Sequence, residues 1–552
     1  MAAAGGYPVL FRGICEVGMR GKNTQAPGIL DRVIAGIRPS WALEREVARQ
    51  RLYFVNSGYS AGAANTNKKS MIGFPAPGGS ANEDIHENLP IIRRRSRELY
   101  MSVPLATGAV NTARTNVIGP GLRLKSTPDV QVLGITEEEG EALGRQIERE
   151  FAVWADSVMC DASRADNFYS IQQLAFLNWL LSGDVLVLLP VTPRPGYIYD
   201  LRLQLIEADR IGTPIKADGR DIQDGVEVDR HGGVSAYWIC RSHPYAADAL
   251  DLEYDRVEAY GKNTGRPNAL HLMNRERIGQ RRGIPFLACV MEAVKQIGRY
   301  TDAELMAAVV NGLFTVFIEK EDPTSGFPPG AGIPEEERID RGDEHSVEMG
   351  NGSVVDLNPG EKAVSVTPGR PNANFEGFVD SICKQIGAAL EIPKELLVKQ
   401  FNSNYSASRA ALLEAWKMFR MRRQWMVEKF CTPVYGEWFR EAVAKGRIHA
   451  PGFFTDPVLQ NAYLKCEWNG PTQGQLDPVK EANAAAIRVE NGFSTRQREA
   501  QEMNGSDYDT NVTQLAGEET RMRKIWELRG QYPAGAENST AAVGKEQEDE
   551  NA

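Results

Sequence analysis

The chain has 552 residues, of which 42% are hydrophobic and 25% charged, the ordinary make-up of a soluble globular protein long enough for several domains or one large interlocked protomer. Its 63 Lys and Arg face 73 Asp and Glu, and the resulting net charge of −10 is the wrong sign for broad gripping of nucleic acid, though not for letting DNA slide past. No apolar run approaches the 18 or more residues of a membrane span, and the N-terminus has no convincing signal-peptide core, so the expectation is a chain that stays in the cytoplasm where it is made, with no membrane partner.

Residues 1–40 are small, glycine-rich and weakly patterned, and residues 59–84 are polar and rich in Gly, Ala and Asn, which reads as a loop or mobile arm. A helix carrying Leu89, Ile91, Ile92 and Leu99 follows, with Arg93, Arg94, Arg95 and Arg97 clustered on it. That cluster could meet DNA phosphates, meet a neighbouring subunit's carboxylates, or be a solvated basic face. Residues 111–122 read NTARTNVIGPGL, whose Gly119 and Gly121 suit a tight turn into a strand. A charged helix is expected over 136–154 and an apolar one from Tyr169 to Leu181. Strands are expected over 184–189, 201–206, 226–228, 234–239, 256–260 and 269–273, separated by turn residues such as His231-Gly232-Gly233, as in an antiparallel sheet. The body is therefore α+β.

From Pro285 a helical seam runs through Leu287, Met291, Val294, Ile297, Thr301, Leu305 and Ala308, ending at Asn311-Gly312, with a strand over 313–318. Residues 322–344 form an acidic, Pro- and Gly-rich excursion, and 352–366 read as a hairpin of SVVDL with KAVSV around Asn358-Pro359-Gly360-Glu361. A second amphipathic helix shows Phe375, Phe378, Val379, Ile382, Ile386, Ala389 and Leu390 at steps of three and four, and it ends by Ile392 because Pro393 follows. Residues 400–408, QFNSNYSAS, have no periodicity and read as an exposed polar loop, with Ser408 able to cap the next helix. That helix carries Leu412, Trp416, Phe419, Met426 and Phe430 over residues 409–431, with Arg423 in a place the pattern gives to an apolar residue, and Pro433 should kink or end it. By periodicity alone a plain helical hairpin packing its own core fits this region equally well. Beyond Ile448 come Pro-rich and aromatic loops, then helices over 478–491, 495–504 and 522–528, and a tail over 533–552 with the composition of disorder.

The seven cysteines are scattered singly, without metal-ligand spacing, and read as small buried hydrophobes. The six histidines are equally dispersed and read as satisfied surface or core residues. There is no phosphate-binding GxxxxGK[ST] loop, no HExxH and no GxSxG, so neither a cofactor nor a metal nor a catalytic set is expected.

NFEGFV, EIPKELL, the run from Ser403 to Glu414 and the later GPTQGQLDPVKE, together with NTARTNVIGPGL, resemble the lambda-type family of tailed-phage portal proteins, in the right order and over residues 45–510. The resemblance implies a portal fold with no enzymatic role of its own: a weakly ordered segment over 1–40, a wing over 41–284, a stem helix over 285–312, a clip over 313–370, a returning stem helix over 371–399, a tunnel loop over 400–408, a long wing helix over 409–446, a C-terminal wing or crown over 447–532 and a tail over 533–552. It further implies a dodecameric ring at a capsid vertex of the virion, assembled in the host cytoplasm, through which double-stranded DNA enters and leaves. Its partners would be the terminase large subunit, the major capsid protein and head–tail connector proteins. On this resemblance Gln400, Asn402, Ser403, Asn404, Tyr405 and Ser406 would line the DNA channel, while Arg409, Lys417, Arg420, Arg422 and Arg423 would contact phosphates or, preferably, bridge subunits. The rival expectations are an enzyme acting on nucleic acid or peptides, whose site assembles only in three dimensions, and a non-ring virion scaffold or adaptor.

Overall fold

The computed structural model describes residues 69, 78–215, 221–247, 252–312, 316–320, 361–365, 375–401, 405–474 and 477–529. The chain divides into two units, Met1–Gly78 and Gly79–Ala552, and the fold described below is that of the second. The expectations for residues 1–40, for the acidic excursion and for the tail beyond 533 lie outside the described residues.

Helix α1 (Ala81–His86) opens with a reciprocal capping box between Ser80 and Glu83, and α2 (Leu89–Ser102) follows with Leu89, Arg93, Ser96 and Leu99 on its buried face. The interior side of α3 (Pro104–Val117) is almost all small, with Ala106, Ala109 and Ala113 buried beside Val110 and Val117, which lets other helices approach closely. After strand β1 (Arg123–Ser126) and the single turn α4 (Val130–Leu133), the charged helix expected over 136–154 is found as α5 (Glu137–Ala155), started by a Thr136–Glu139 capping box. The apolar helix α6 (Phe168–Ser182) is capped by Asn167 and closed by Gly183 at φ 85°. Gly183 also lies against Gly283 so closely that a Cβ on either would sit within 2.4 Å of the other's carbonyl oxygen.

Two antiparallel sheets follow. One has the order β3-β2-β8, formed by β2 (Asp184–Leu188), β3 (Gln204–Glu207) and, later in the chain, β8 (Ala269–Met273). The other is a meander of β4 (Ile222–Gln223), β5 (Val226–Val228), β6 (Val234–Cys240) and β7 (Tyr254–Glu258). Leu186, Ile206, Val226, Tyr237, Ile239 and Ala269 close a small core between them. The α+β class and nearly all the expected strands are present, distributed over two sheets instead of one.

Helix α7 (Met291–Gly312) departs from its expected seam: Val294 and Ile297 are buried, but Leu305 and Ala308 are exposed, so only its first half packs against the rest of the described chain. Strands β9 (Val316–Lys320) and β10 (Glu361–Ser365) pair antiparallel, from Val316↔Ser365 to Lys320↔Glu361. The KAVSV run is therefore partnered by residues 316–320; the SVVDL run expected to pair with it lies outside the described residues. Helix α8 (Phe375–Leu390) then packs on α7, with the Phe375 and Phe378 rings 5.5 and 4.9 Å from Tyr300. Its buried face is Cys383, Ile386, Gly387 and Leu390, rotated slightly from the expected seam, and Phe378 and Ala389 are exposed.

A short helix α9 (Lys394–Leu397) precedes α10 (Tyr405–Met426), a π-helical turn over Val427–Cys431 and α11 (Thr432–Ala444), one continuous rod of roughly 60 Å at 1.5 Å per residue. Pro433 neither ends nor breaks it. In the π turn the Thr432 amide donates to the carbonyl of Val427, five residues back, and this widened turn makes room for a proline ring that a regular α-helix would reject. Helix α12 (Pro457–Leu464) occupies part of what reads as loop, and β11 (Cys466–Asn469) returns to pair with β1, from Arg123↔Asn469 to Ser126↔Cys466. The last helices are α13 (Pro478–Glu490), α14 (Arg496–Asn504) and α15 (Tyr508–Arg529), the first two bounded as expected and the third starting earlier. The main core is aromatic, with Trp438 5.0 Å and Phe168 5.6 Å from Phe151, both edge-on, and Phe430 stacked on Phe168 at 5.7 Å. Among the described residues no helix is long and apolar enough to cross a membrane.

Candidate functional site

The polar loop begins from a firmly held base. Leu397 of α9 is buried, Leu396 and Val398 pack on the core, and the Gln400 amide donates to the Glu395 carbonyl at 3.0 Å. Lys399 at φ 54° then turns the chain outward, so that Gln400 and Phe401 are exposed. Asn402, Ser403 and Asn404 lie outside the described residues. Tyr405 and Ser406, expected in the loop, instead form the first turn of α10, and Ser408 stands inside the helix and does not cap it. The alanines at 407, 410 and 411 explain the earlier start, because they supply helix propensity that outweighs the serines between them.

The five basic residues of α10 divide into two groups. Arg409 pairs with Glu481 of α13 at 3.2 Å, Arg420 lies 3.9 Å from Glu502 of α14, and Lys417 pairs with Glu414 on its own helix at 2.5 Å. These three are substantially solvent-exposed. Arg422 and Arg423 point inward. The guanidinium of Arg422 lies over the rings of Phe286 and Trp179 at 4.9 and 5.4 Å, and burial lowers its pKa. Arg423 donates to the carbonyls of Val117, Asn116 and Pro471 at 3.0, 2.9 and 2.7 Å and lies 5.5 Å from the Trp416 ring. Burial, and then the charge of Arg420, bring its pKa down to about 10.

Within the protomer, then, Arg423 is held by three backbone carbonyls and Arg422 by two aromatic rings, whereas Arg409, Lys417 and Arg420 stay at the surface. Asn116 and Val117 carry the last carbonyls of α3, which have no partner inside their own helix, and Arg423 is their cap. The contact also explains two sequence motifs. Gly119 in NTARTNVIGPGL lies where a Cβ would sit 2.4 Å from Pro471, and a Cβ on Gly470 would sit 2.9 Å from the Arg423 Nε, so these glycines permit the close approach that the arginine bridges.

The arginine cluster on α2 divides in the same way. Arg94 and Arg95 are exposed, whereas Arg97 pairs with Asp209 and Arg93 is buried. Arg93 donates to Asp184 Oδ1 at 2.8 Å and to the Ser182 carbonyl at 2.8 Å. The same fully buried Asp184 accepts from Arg282 Nε at 2.6 Å and from the Gly283 amide at 3.1 Å, and His271 Nε2 lies 3.2 Å from Oδ2. Burial alone would raise the Asp184 carboxyl, but Arg282 and Arg93, with His271, outweigh it and hold it well below the usual carboxylate range. Burial brings Arg93 down to about 10, and it lowers His271 too, against the opposing pull of Asp184. This network joins α2, the end of α6, the start of β2, the middle of β8 and the turn after β3; it is structural, and sequence reasoning missed it. The one available signal was Asp184 opening an otherwise apolar strand.

Among the described residues no group of His, Cys, Asp and Glu has the arrangement of a metal site. Cys160, Cys240, Cys383 and Cys431 are buried as expected, Cys466 is partly exposed and Cys289 is exposed.

The sequence matches the family model described as phage portal protein, lambda family, over residues 67–423. The portal protein of Escherichia phage N15 is 24% identical over 485 residues, covering 85% of this chain and 91% of that protein. Portal protein B of Escherichia phage lambda is 23% identical over 485 residues, covering 85% and 90%. A chain from the neck of a native gene transfer agent particle, solved with C12 symmetry, aligns with a TM-score of 0.38 at 13% identity, over 75% of this chain and 92% of that one, a likeness too slight to carry an argument. The family match spans well over half of the sequence and includes α2, α3, both sheets, the loop base and most of α10, and the protein belongs to the lambda family of phage portal proteins.

Proposed function

We propose that this portal subunit works as one of twelve copies in a closed ring at a single capsid vertex, the channel through which duplex DNA is packaged and later ejected. On that account the subunit's role is structural, and the motive force for packaging comes from a partner, the terminase large subunit. In this reading α7 and α8 are the stem, the β9–β10 hairpin with the residues between its strands is the clip that meets terminase and head–tail connector proteins, and α13 to α15 form the crown. The outer surface meets the major capsid protein.

The observation that carries the reading is the segment between α9 and α10: an uncharged polar run, QFNSN, set between a buried anchor at Leu397 and the start of a 60 Å rod. Uncharged polar groups facing phosphates make contacts that break and reform cheaply, and the net charge of −10 keeps the ring from trapping DNA. Exposed Arg409, Lys417 and Arg420 remain candidates for phosphate or subunit contacts, tempered by the carboxylates already beside them.

Negative-stain imaging of the purified full chain, with mass photometry beside it, is expected to show rings with a central hole about as wide as a DNA duplex. A monodisperse monomer or dimer under several salt conditions would overturn the ring. Removing Asn402 to Asn404 should leave rings intact and impair packaging; loss of the rings, or packaging at the normal rate, would count against the loop assignment.

A further inference from the structure

Strand β8 is the outer strand of its sheet, so one side of its backbone has no strand partner among the described residues. Beside it lies a cavity of about 810 Å³, bounded by Leu270 and His271 of β8, by Tyr237 of β6, by Tyr260 just beyond β7 and by the π turn of the long rod. The size is that of a site for a small ligand or a short peptide. Three cations line it, Arg275, Arg281 and Lys429, and none of them forms an ion pair with a described carboxylate. The Nε of Arg281 is buried and has no hydrogen-bond acceptor among the described residues. The one acidic group on the rim, Glu428, already accepts a hydrogen bond from Gln424 at 2.8 Å. In a chain of net charge −10, this is a local reversal of sign beside an open strand edge.

We propose that the groove binds an acidic segment of a partner protein in extended conformation. The segment's backbone continues the sheet along β8, its carboxylates meet Arg275, Arg281 and Lys429, and its alternate apolar side chains lie against Tyr237 and Tyr260. Duplex DNA is excluded by its width and stiffness, since a cavity of this volume admits one extended chain. The argument needs neither the ring nor the channel, so it stands or falls separately from them.

The test is fluorescence anisotropy on the purified full chain, with a labelled ten-residue peptide alternating Glu and Val and, as the rival probe, a labelled oligothymidylate of equal charge. The peptide is expected to bind, and more weakly as salt rises. Lys429→Glu should weaken it by about tenfold or more, and Glu428→Lys should strengthen it severalfold. Both positions are exposed, so the melting temperatures should match the parent. Failure of the peptide to bind, indifference to both substitutions, or binding of the oligothymidylate in its place would overturn the proposal.

Discussion

Arg423 was legible as an anomaly, a charge in the apolar stripe of a helix, but its role was not, because the carbonyls it caps lie more than 300 residues earlier in the chain. Arg423→Ala leaves the end of α3 without its cap and three partly buried carbonyls short of a donor, an expected loss of about 3 kcal/mol in urea unfolding of the protomer. A variant that unfolds at the parent's midpoint while failing to assemble would assign Arg423 to subunit bridging instead. Asp184 is the harsher test. Asp184→Asn leaves Arg93 and Arg282 buried without their counter-charge, and removing one partner from such a network costs about 3–5 kcal/mol. The network also sets a pH dependence. His271 is held below its ordinary pKa of about 6.5, so the unfolded chain binds the proton that the native one refuses. Its contribution is fully present above about pH 6.5 and is lost as pH falls toward the folded value. The depressed Asp184 carboxyl works in the same direction at lower pH, its contribution present above its ordinary value of about 3.8 and lost as pH falls toward its native pKa. Stability should therefore drop between pH 7.5 and 5.5, and His271→Gln should flatten that drop; an unchanged slope would remove His271 from the account.

At the scale of elements, local signals read well. Thr136, Asp477 and Thr495 each accept from the backbone three residues on, and the helices they open begin where capping chemistry puts them. Partners read poorly, since a strand's alternation says that it has a buried face and not which strand lies beside it. The pairing of β10 with residues 316–320 and the division into two sheets were out of reach for that reason. Pro433 is the instructive case, because a rule about regular helices predicted a break and the chain answered with a π turn. Deleting exposed Lys429 would close that turn to a regular α-helix and set the Pro433 ring against the carbonyl four residues back, at a cost of about 3 kcal/mol. The same deletion combined with Pro433→Ala should recover most of the loss, since nothing then opposes the regular turn. Equal denaturation midpoints for the two deletion variants would show that something other than the proline holds the turn open.

At the scale of the whole molecule, what the protomer leaves uncovered is as informative as what it buries. Leu305, Met306 and Val309 on the second half of α7 are 64%, 62% and 51% exposed, and Phe378 on the neighbouring α8 is 49% exposed. Periodicity placed Leu305 in a buried seam, and that expectation fails within one chain because no described residue covers the outer half of α7. In the ring proposed above, each α7 faces its counterpart in the next copy, and a seam that looks misassigned in the protomer becomes an interface in the assembly. Leu305→Glu separates the two accounts. If α7 is bare in the working state, the substitution exchanges one exposed residue for another, and protomer unfolding and ring assembly should both stay within about 0.5 kcal/mol of the parent. If α7 packs against a second copy, protomer unfolding is still unmoved, but a charge enters an apolar contact without a partner and rings give way to smaller species in mass photometry. The proposed ring requires the second outcome, and full assembly of the Leu305→Glu chain would move its subunit contacts away from α7.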